Sequence, residues 1–417
     1  MKLIQTQNRC ERHRITKSDP NWKLIDEYCF KSKNLYNYGN YIIRQEFISS
    51  SKENDKGNWI RYNELDKMCQ WSDPYKDLGS QSSQATLKLL DRNWKSFFKS
   101  IKDWSKNPSK YNGRPKMPQY LDKENGRYLL QLKNTQFRIK DGYIYFSWKP
   151  MTPLNNQFKT RISDDYKLMQ CRFVPKGKDY ILEVVYEISV PEVKETSERI
   201  AGIDLGINNF ATITTNCGIN PVVVNGKPIK SMNQYYNKEK ASKQSELMLN
   251  NSKHWSNELQ RITDKRNNKV EDYIHKASRW IVDWCAENNI DTLVCGYNEG
   301  WKQDSNIGKI NNQNFVGIPY YNFIHKLEYK CQNVGIKFIT VKESYTSGTS
   351  FLDGELATQE YYDKSRRKQR GLFISNEGVE INADVNGSYQ IMKNVFPDAF
   401  ADGIEGVGLH PAIVTVV

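Results

Sequence analysis

The chain has 417 residues, and its 61 lysine and arginine residues against 48 acidic residues give a net charge of +13. This excess favours a polyanionic partner, nucleic acid first, although a basic surface without a partner would give the same count. No apolar run is long enough to cross a bilayer and no hydrophobic signal segment opens the chain, so we expect neither a membrane protein nor a secreted one. The eight scattered cysteines form no C-x-x-C pair. We therefore expect reduced thiols, a cytosolic protein and no structural zinc.

Helical patterns dominate the first part of the chain, after a possible short strand at residues 1–6. Asp19 and Pro20 are typical of an N-cap and a first helical position, and the helix that they predict runs to about residue 50. A second helix is predicted because its apolar residues recur at spacings of three and four and so share one face: Leu87, Leu90, Trp94, Phe97, Ile101 and Trp104.

Basic residues occupy much of the rest of the second helix and the loop KYNGRPK that follows it. Lys95 and Lys99 on the helix, and Lys110 and Arg114 in the loop, are candidate nucleic-acid contacts. A solvated basic face and a plain turn explain the same pattern equally well.

Residues 127–190 have the composition of β-structure. Asp141-Gly142 is a hairpin turn signal between two strand-like runs, and PKGKD separates two further runs. This pattern predicts a β-rich module, such as a small barrel, with the helices before it as an insertion or a neighbour.

From residue 200 onward the order of elements indicates an α/β domain. Three strands are followed by helix, strand, helix, strand and helix, which is the order of the RNase H-like fold. The predicted elements are strands within 203–215 and at 221–224, a long helical region at 230–289, a strand at 291–295, a helix at 321–333, a strand at 336–342 and a helix at 384–395.

Two acidic motifs fall on matching elements of that fold. Asp204 lies in the first strand, within AGIDLGINNF, and Asp384 opens the last helix, within INADVNGSYQIM. Alone, each has an ordinary explanation: a half-buried strand residue for Asp204 and an N-cap for Asp384. Together they favour a site for Mg²⁺, most simply two ions that hydrolyse a phosphodiester, because Mg²⁺ takes hard oxygen ligands.

The motifs GIDLGINNF, NNQNFVGIP, ESYTSGTSF and NADVNG resemble the TnpB family of transposon-encoded, RNA-guided DNA endonucleases, which are ancestral to type V CRISPR effectors. A run near Gln84–Lys88 and the loop GRPKMP agree with this resemblance. It implies a guide RNA, a target DNA, one RuvC site that cuts both strands and a prokaryotic cytosolic protein, and we expect a monomer.

The resemblance also implies a domain plan. A β-barrel wedge domain (1–18 and 126–198) would be interrupted by a helical recognition lobe (19–125). A RuvC domain (199–417) would carry an insert at 345–383. Family members usually have two cysteine pairs in this insert, but here it has none. We therefore expect packing or nucleic acid, and not zinc, to hold it.

A third carboxylate is missing from its usual place. In the family a glutamate ends the fourth strand, and here that position is Gly296. Glu343 ends the fifth predicted strand, and neighbouring strands lie about 4.8 Å apart, so its carboxylate could reach the same place. Glu299 is the second candidate. The third reading is that Glu343 is a surface acid and the nuclease is inactive.

Several polar residues near these acids remain candidates for contact with nucleic acid. They are Lys302 and the basic run of Arg366, Arg367 and Arg370, each of which a solvated surface would also explain. Trp301 is either a core residue or a base-stacking residue, and Ser344, Thr346 and Ser347 either bind phosphate or form a turn.

The favoured function is an RNA-guided, Mg²⁺-dependent DNA endonuclease in which Asp204, Glu343 and Asp384 bind the metal. An RNA-guided DNA-binding repressor without cleavage is the main alternative. A strand-transfer transposase is a weaker one, for which the sequence holds no separate signature.

Overall fold

The computed structural model describes residues 5–53, 57–193, 197–251, 254–298, 300, 309–369, 371–401, 403–404 and 406–416. The chain divides into two units, Thr6–Ser189 and Val190–Val417, with the first five residues grouped with the second. In the part of the chain that is described, no helix is both long and apolar enough to span a membrane.

The N-terminal unit places a run of helices between its first strand and its other strands. Its elements are β1 (Gln5–Ile15), α1 (Trp22–Glu53), α2 (Tyr62–Cys69), α3 (Asp73–Lys76), α4 (Gly79–Lys106), β2 (Leu130–Lys133), β3 (Phe137–Lys140), β4 (Tyr143–Phe146), β5 (Lys167–Lys176) and β6 (Asp179–Val190). The first strand is therefore longer and later than expected, and α1 begins two residues beyond Pro20. Residues 1–4 lie outside the described part.

The predicted apolar face of α4 is confirmed, and it packs against α1. Leu87, Leu90 and Trp94 are fully buried, and the indole Nε1 of Trp94 donates to Asn40 Oδ1 on α1 at 3.0 Å. A Cβ at Gly39 would lie 2.9 Å from the Leu87 side chain. The two helices can approach this closely because α1 carries a glycine at the contact.

The strands of the N-terminal unit form two sheets. The order β1-β6-β5-β2 makes a four-stranded sheet, and β3 and β4 form a separate hairpin. The predicted hairpin turn is present, since Asp141 and Gly142 both have positive φ (53° and 73°), as a two-residue turn of this kind requires. Closure of these strands into a barrel stays a prediction.

The C-terminal unit contains a mixed six-stranded sheet with helices packed on it. Its elements are β7 (Ile200–Leu205), β8 (Asn209–Thr215), β9 (Val222–Asn225), α5 (Lys227–Asn251), α6 (Asn257–Glu287), β10 (Thr292–Gly296), α7 (Lys309–Val316), α8 (Tyr320–Asn333), β11 (Lys337–Val341), β12 (Leu372–Ile374), β13 (Glu380–Asn382), α9 (Ala383–Val395) and β14 (Ala412–Val414). The region predicted as one long helix is two helices, and the sequence analysis missed β14.

The sheet order β11-β10-β7-β8-β9-β14 brings three parallel strands together. The central strand of these, β10, pairs in parallel with both β7 and β11, so the carboxyl ends of the three strands meet at one edge. On the face of this sheet, α9 packs closely against β7. A Cβ at Gly202 would lie 2.5 Å from the Ser388 carbonyl, and one at Gly387 would lie 2.9 Å from Asp204 Oδ2.

Candidate active site

Three acidic residues line one cavity of about 530 Å³ in the C-terminal unit. Asp204 is the fifth residue of β7, Glu343 lies two residues beyond β11, and Asp384 is the second residue of α9. The topology explains why these three residues lie close together. The strands β7 and β11 end at the same sheet edge, and α9 begins over that edge.

Asp204 is the most deeply set of the three. Burial raises the pKa of Asp204 well above its ordinary value, and the negative charges of Glu343 and Asp384 raise it further. Arg367 and a backbone hydrogen bond oppose this shift only partly. A raised pKa means that the site lacks enough positive charge to hold every carboxylate ionised at low cost.

Glu343 occupies the space beside Gly296. The register of β10 and β11 pairs Gly296 with Val341, and a Cβ at Gly296 would lie 3.4 Å from Glu343 Oε2. The same Cβ would come within 2.5 Å of Ile391 Cδ1. A side chain at position 296 would thus require Ile391 to shift, and it would begin in van der Waals contact with the Glu343 carboxylate.

A hydrogen bond from Thr346 orients the carboxylate of Glu343. Thr346 Oγ1 donates to Glu343 Oε1 at 3.1 Å. Burial raises the pKa of Glu343, the bond from Thr346 and the charge of Arg367 lower it, and Asp384 raises it. Thr346 is itself buried and lies in the turn after β11, and it also lines the acidic cavity; a phosphate contact for it stays a prediction.

The side chain of Asp384 is not used as the N-cap of α9, because another residue caps this helix. The side chain of Asn382 accepts from the backbone N–H groups of Asp384 and Val385, so the N-cap reading of Asp384 is wrong. Its own carboxylate accepts from Asn209 Nδ2 at 2.6 Å and from Arg367 at 3.2 Å.

The donor set fits a hard divalent cation, although the described residues do not form a closed metal cage. Carboxylate oxygens are the ligands that Mg²⁺ prefers, and the mutual repulsion of Asp204, Glu343 and Asp384 is what a cation would relieve. Within the described ranges, no group of three His, Cys, Asp or Glu residues is close enough to hold one metal ion. The guanidinium of Arg367 occupies one oxygen of Asp384 instead.

The expected nucleic-acid contact of Arg366 conflicts with its placement. Its side chain is 11% exposed, and its terminal nitrogens donate to both carboxylate oxygens of Glu355 at 2.8 Å, to the Gly348 carbonyl and to the Tyr361 carbonyl. This arginine ties together the insert that has no cysteines. Arg367, the next residue, is exposed and lines the cavity, whereas Glu299, Trp301, Lys302 and Arg370 lie outside the described residues.

The other candidate contacts lie in the N-terminal unit. Lys95 pairs with the buried Asp91 at 2.8 Å, while Lys99, Lys110 and Arg114 are exposed. The sequence analysis missed a cavity of about 320 Å³ around Asp91, which Arg61, Lys88 and Arg92 also line. The sequence does carry a signal for this cavity, because the basic residues Lys88, Arg92 and Lys95 recur at helical spacing and so share one face of α4.

Asn209 and Lys227 also line the acidic cavity and were missed as site residues. The signal for Asn209 was available, because a tight turn after β7 returns β8 to the level of Asp204. Tyr320 supports this turn from α8, since its hydroxyl donates to the Gly206 carbonyl at 2.7 Å.

Comparison with known families finds two matches along the C-terminal half. The family described as "Probable transposase" (OrfB_IS605) matches residues 183–302, and the family described as "Cas12f1-like, TNB domain" matches residues 320–391. The first covers β7 with Asp204, and the second covers Glu343 and Asp384.

Similar sequences include two named proteins. The TnpB-like protein ORF457 of Acidianus two-tailed virus is 24% identical over 407 residues, which cover 87% of this chain and 81% of that protein. The CRISPR-associated endodeoxyribonuclease Cas12f1 of Sulfoacidibacillus thermotolerans is 27% identical over 134 residues, or 32% of this chain and 29% of that protein.

Two solved structures share the fold. A Cas12f1–sgRNA–target DNA complex matches with a TM-score of 0.56 and 13% identity, over 88% of this chain and 82% of that one. The mini-RNA-guided endonuclease CRISPR-Cas_phi3 matches with a TM-score of 0.50 and 9% identity, over 93% of this chain and 92% of that one. The family matches, the similar sequences and the shared fold agree that this chain is similar to TnpB proteins and to compact type V effectors.

Proposed function

We propose that this protein is an RNA-guided, Mg²⁺-dependent DNA endonuclease that cuts its target at one RuvC site formed by Asp204, Glu343 and Asp384. The observation that supports this most is the position of Glu343. Its carboxylate stands 3.4 Å from where a side chain at Gly296 would begin. The third acid of the site has then moved from the fourth strand to the segment after the fifth, and its carboxylate has stayed in place.

Each acid has a distinct part in the proposed mechanism. Two Mg²⁺ ions bound here would activate a water molecule and stabilise the leaving oxygen of the phosphodiester. Asp204 is buried and interacts with the charges of both other acids, so it would be one of the residues that hold the metal. Glu343 is oriented by Thr346, and Asp384 is oriented by Asn209.

Arg367 balances charge before the metal enters. Its guanidinium holds one oxygen of Asp384, and Asp384 would hold a cation through that oxygen only if Arg367 released it. Because its side chain is 37% exposed, it can turn to the phosphate backbone of a bound strand, where an arginine makes a charge-assisted bond.

The remaining parts of the proposal concern the partners. One of the similar structures is a complex of Cas12f1 with sgRNA and target DNA, and we infer a guide RNA and a target DNA as the partners here. Residues 1–18 with 126–198 would form the wedge barrel, 19–125 the recognition lobe, 199–417 an RNase H-like RuvC domain and 345–383 its insert. Lys95, Lys99, Lys110 and Arg114 would contact nucleic acid, as would Lys302 and Arg370.

A guided DNA-binding repressor without cleavage is the second candidate, and one observation favours it. The described acids stand with an arginine bound to Asp384 and do not form a closed metal cage. If Arg367 stays on Asp384, that carboxylate oxygen is not available to a metal ion.

Guided cleavage separates the two candidates. The protein, purified with RNA from its own locus, is incubated with a plasmid library in Mg²⁺ or in EDTA, and both cutting and target binding are measured. We expect the wild type to cut only with RNA and Mg²⁺, Asp204→Asn to bind without cutting, and the exposed control Asp398→Asn to behave as wild type. Binding without cutting by the wild type would support the repressor, and neither binding nor cutting would contradict both.

A further inference from the structure

The helical part of the N-terminal unit contains a second cavity of about 530 Å³ that the proposed chemistry does not use. Its floor is apolar, formed by Phe47, Phe97, Phe98, Ile101 and Met117, and its rim carries Arg44, Arg114 and Lys116. No acidic side chain lines it among the described residues. The volume lies within the range of about 300–1,000 Å³ that is usual for small-ligand pockets.

The floor of this cavity is a rigid aromatic cluster. The ring of Phe98 lies 4.9 Å from Trp59, 5.1 Å from Phe97 and 5.4 Å from Phe47, centroid to centroid. These rings pack against the buried core of the unit but are only partly buried themselves. Part of their apolar surface therefore faces the cavity and is ready to receive a flat apolar group.

The wall of the cavity is held in place at both of its ends. Before it, Tyr111 and Asn107 donate to the Asp103 carboxylate at the end of α4. After it, Asn40 and Arg44 of α1 both donate to the Pro118 carbonyl. The loop that carries Arg114 and Lys116 is thus fixed over the aromatic floor, and a ligand would not have to order it.

These features together specify the chemistry of the ligand. An apolar aromatic floor suits the flat face of a nucleobase, and the rim cations Arg114 and Lys116, which have no acidic neighbour in the cavity lining, suit the phosphate attached to it. A base is free to enter only if it is unpaired and unstacked. Loops and bulges of RNA offer such bases, whereas those of duplex DNA are stacked and paired.

We propose that this cavity captures one unpaired base of the guide RNA, with the phosphate beside it on Arg114 and Lys116. The inference rests on the proposed RNA partner but not on the acidic site. It places a contact for the RNA within the helices before residue 125.

Ile101→Trp tests the proposal because it fills the cavity without changing charge. The affinity of the full-length protein for fluorescently labelled guide RNA, transcribed from its own locus, is measured by anisotropy. We expect binding to weaken about 5- to 100-fold, which is the usual effect of losing one stacked base. The exposed residue Lys123, in the same connecting segment, supplies the control Lys123→Ala, which should bind as the wild type does.

A second variant keeps the test decisive if Ile101→Trp lowers the unfolding temperature. Arg114→Ala with Lys116→Ala leaves the floor intact, and it should lower the slope of log affinity against log salt by about 0.7, as expected for losing the contact with one phosphate of a single strand. A labelled single-stranded DNA of the same sequence should respond less than the RNA.

The outcomes separate the two proposals. If the wild type binds RNA and both variants bind it with the same affinity, the proposal that the cavity captures a base is overturned. The proposed function is then unaffected. A loss of affinity for the DNA strand alone would overturn the assignment to RNA. A wild type that binds no RNA would overturn both.

Discussion

The buried ion pair between Arg366 and Glu355 should decide the stability of the insert after β11. Arg366→Met removes the guanidinium but keeps an unbranched apolar stem of similar length. Both carboxylate oxygens of Glu355 lose a 2.8 Å bond, and the carbonyls of Gly348 and Tyr361 lose a donor. The side chains of the pair are only 11% and 10% exposed, so water cannot easily replace these bonds.

Breaking a buried ion pair from one side costs about 3–5 kcal/mol, because it leaves the other charge uncompensated. In a unit of this size each kcal/mol shifts the unfolding temperature by about 2–4 °C, so we expect a fall of about 6–20 °C. Glu355→Leu added to Arg366→Met should restore part of the loss, since it removes the stranded charge.

Thermal unfolding of the full-length protein, followed by circular dichroism, measures this effect. Lys364→Met is the matched control, because Lys364 is an exposed cation two residues away. The reasoning would be refuted if Arg366→Met lowered the free energy of unfolding by less than about 1 kcal/mol and by no more than the control does. That is the contribution expected of a surface ion pair.

The same pair predicts a dependence on pH. Burial alone would raise the pKa of Glu355, but the bonds from Arg366 and Ser350 outweigh it and hold the pKa below its ordinary value. The stability from this group is present above the ordinary carboxylate pKa and is lost as pH falls through the lowered one. Arg366→Met should therefore show less acid destabilisation below about pH 4 than the wild type.

Three further predictions concern the acidic cavity. Because the pKa of Asp204 is raised, the metal-free protein should lose stability as pH rises above the ordinary carboxylate range. Mg²⁺ should then raise the unfolding temperature more at high pH than at low pH, and Asp204→Asn should abolish the difference. Thr346→Val removes the bond to Glu343 and should raise the Mg²⁺ concentration for half-maximal cutting about 10-fold or more, with no change expected from the exposed control Asp398→Asn. Asn382→Ala removes the N-cap of α9 and should lower the free energy of unfolding by about 1 kcal/mol, measured by denaturant titration; no change would contradict the capping role.

The parts of the fold that were predictable are those with strong periodicity or turn chemistry. The apolar face of α4 and the Asp141-Gly142 turn follow from local spacing alone. The division between α5 and α6 and the pairing of β14 with β9 were not predictable in this way. The two polar helices α5 and α6 have the same composition as one long helix, so composition does not show where the chain turns. The strand β14 has only three residues, which is too short to show an alternating pattern.

The candidate site was predictable to the extent that the topology was. Asp204 and Asp384 fall in recognisable motifs, and the distance between neighbouring strands suggested Glu343. The sequence could not separate Arg366 from Arg367, because both lie in one basic run. Only the folded structure separates them: Arg366 pairs with Asp353 and Glu355, whereas Arg367 pairs with Asp384.

The central claim is that Glu343 has taken over from the acid absent at Gly296. Single-turnover cleavage of a guided target in Mg²⁺ by Glu343→Gln, compared with the exposed control Glu380→Gln, tests it directly. We expect Glu343→Gln to bind the target with wild-type affinity and to cut at least about 100-fold more slowly, while Glu380→Gln cuts at the wild-type rate. Equal cutting by the wild type and both variants would contradict the account.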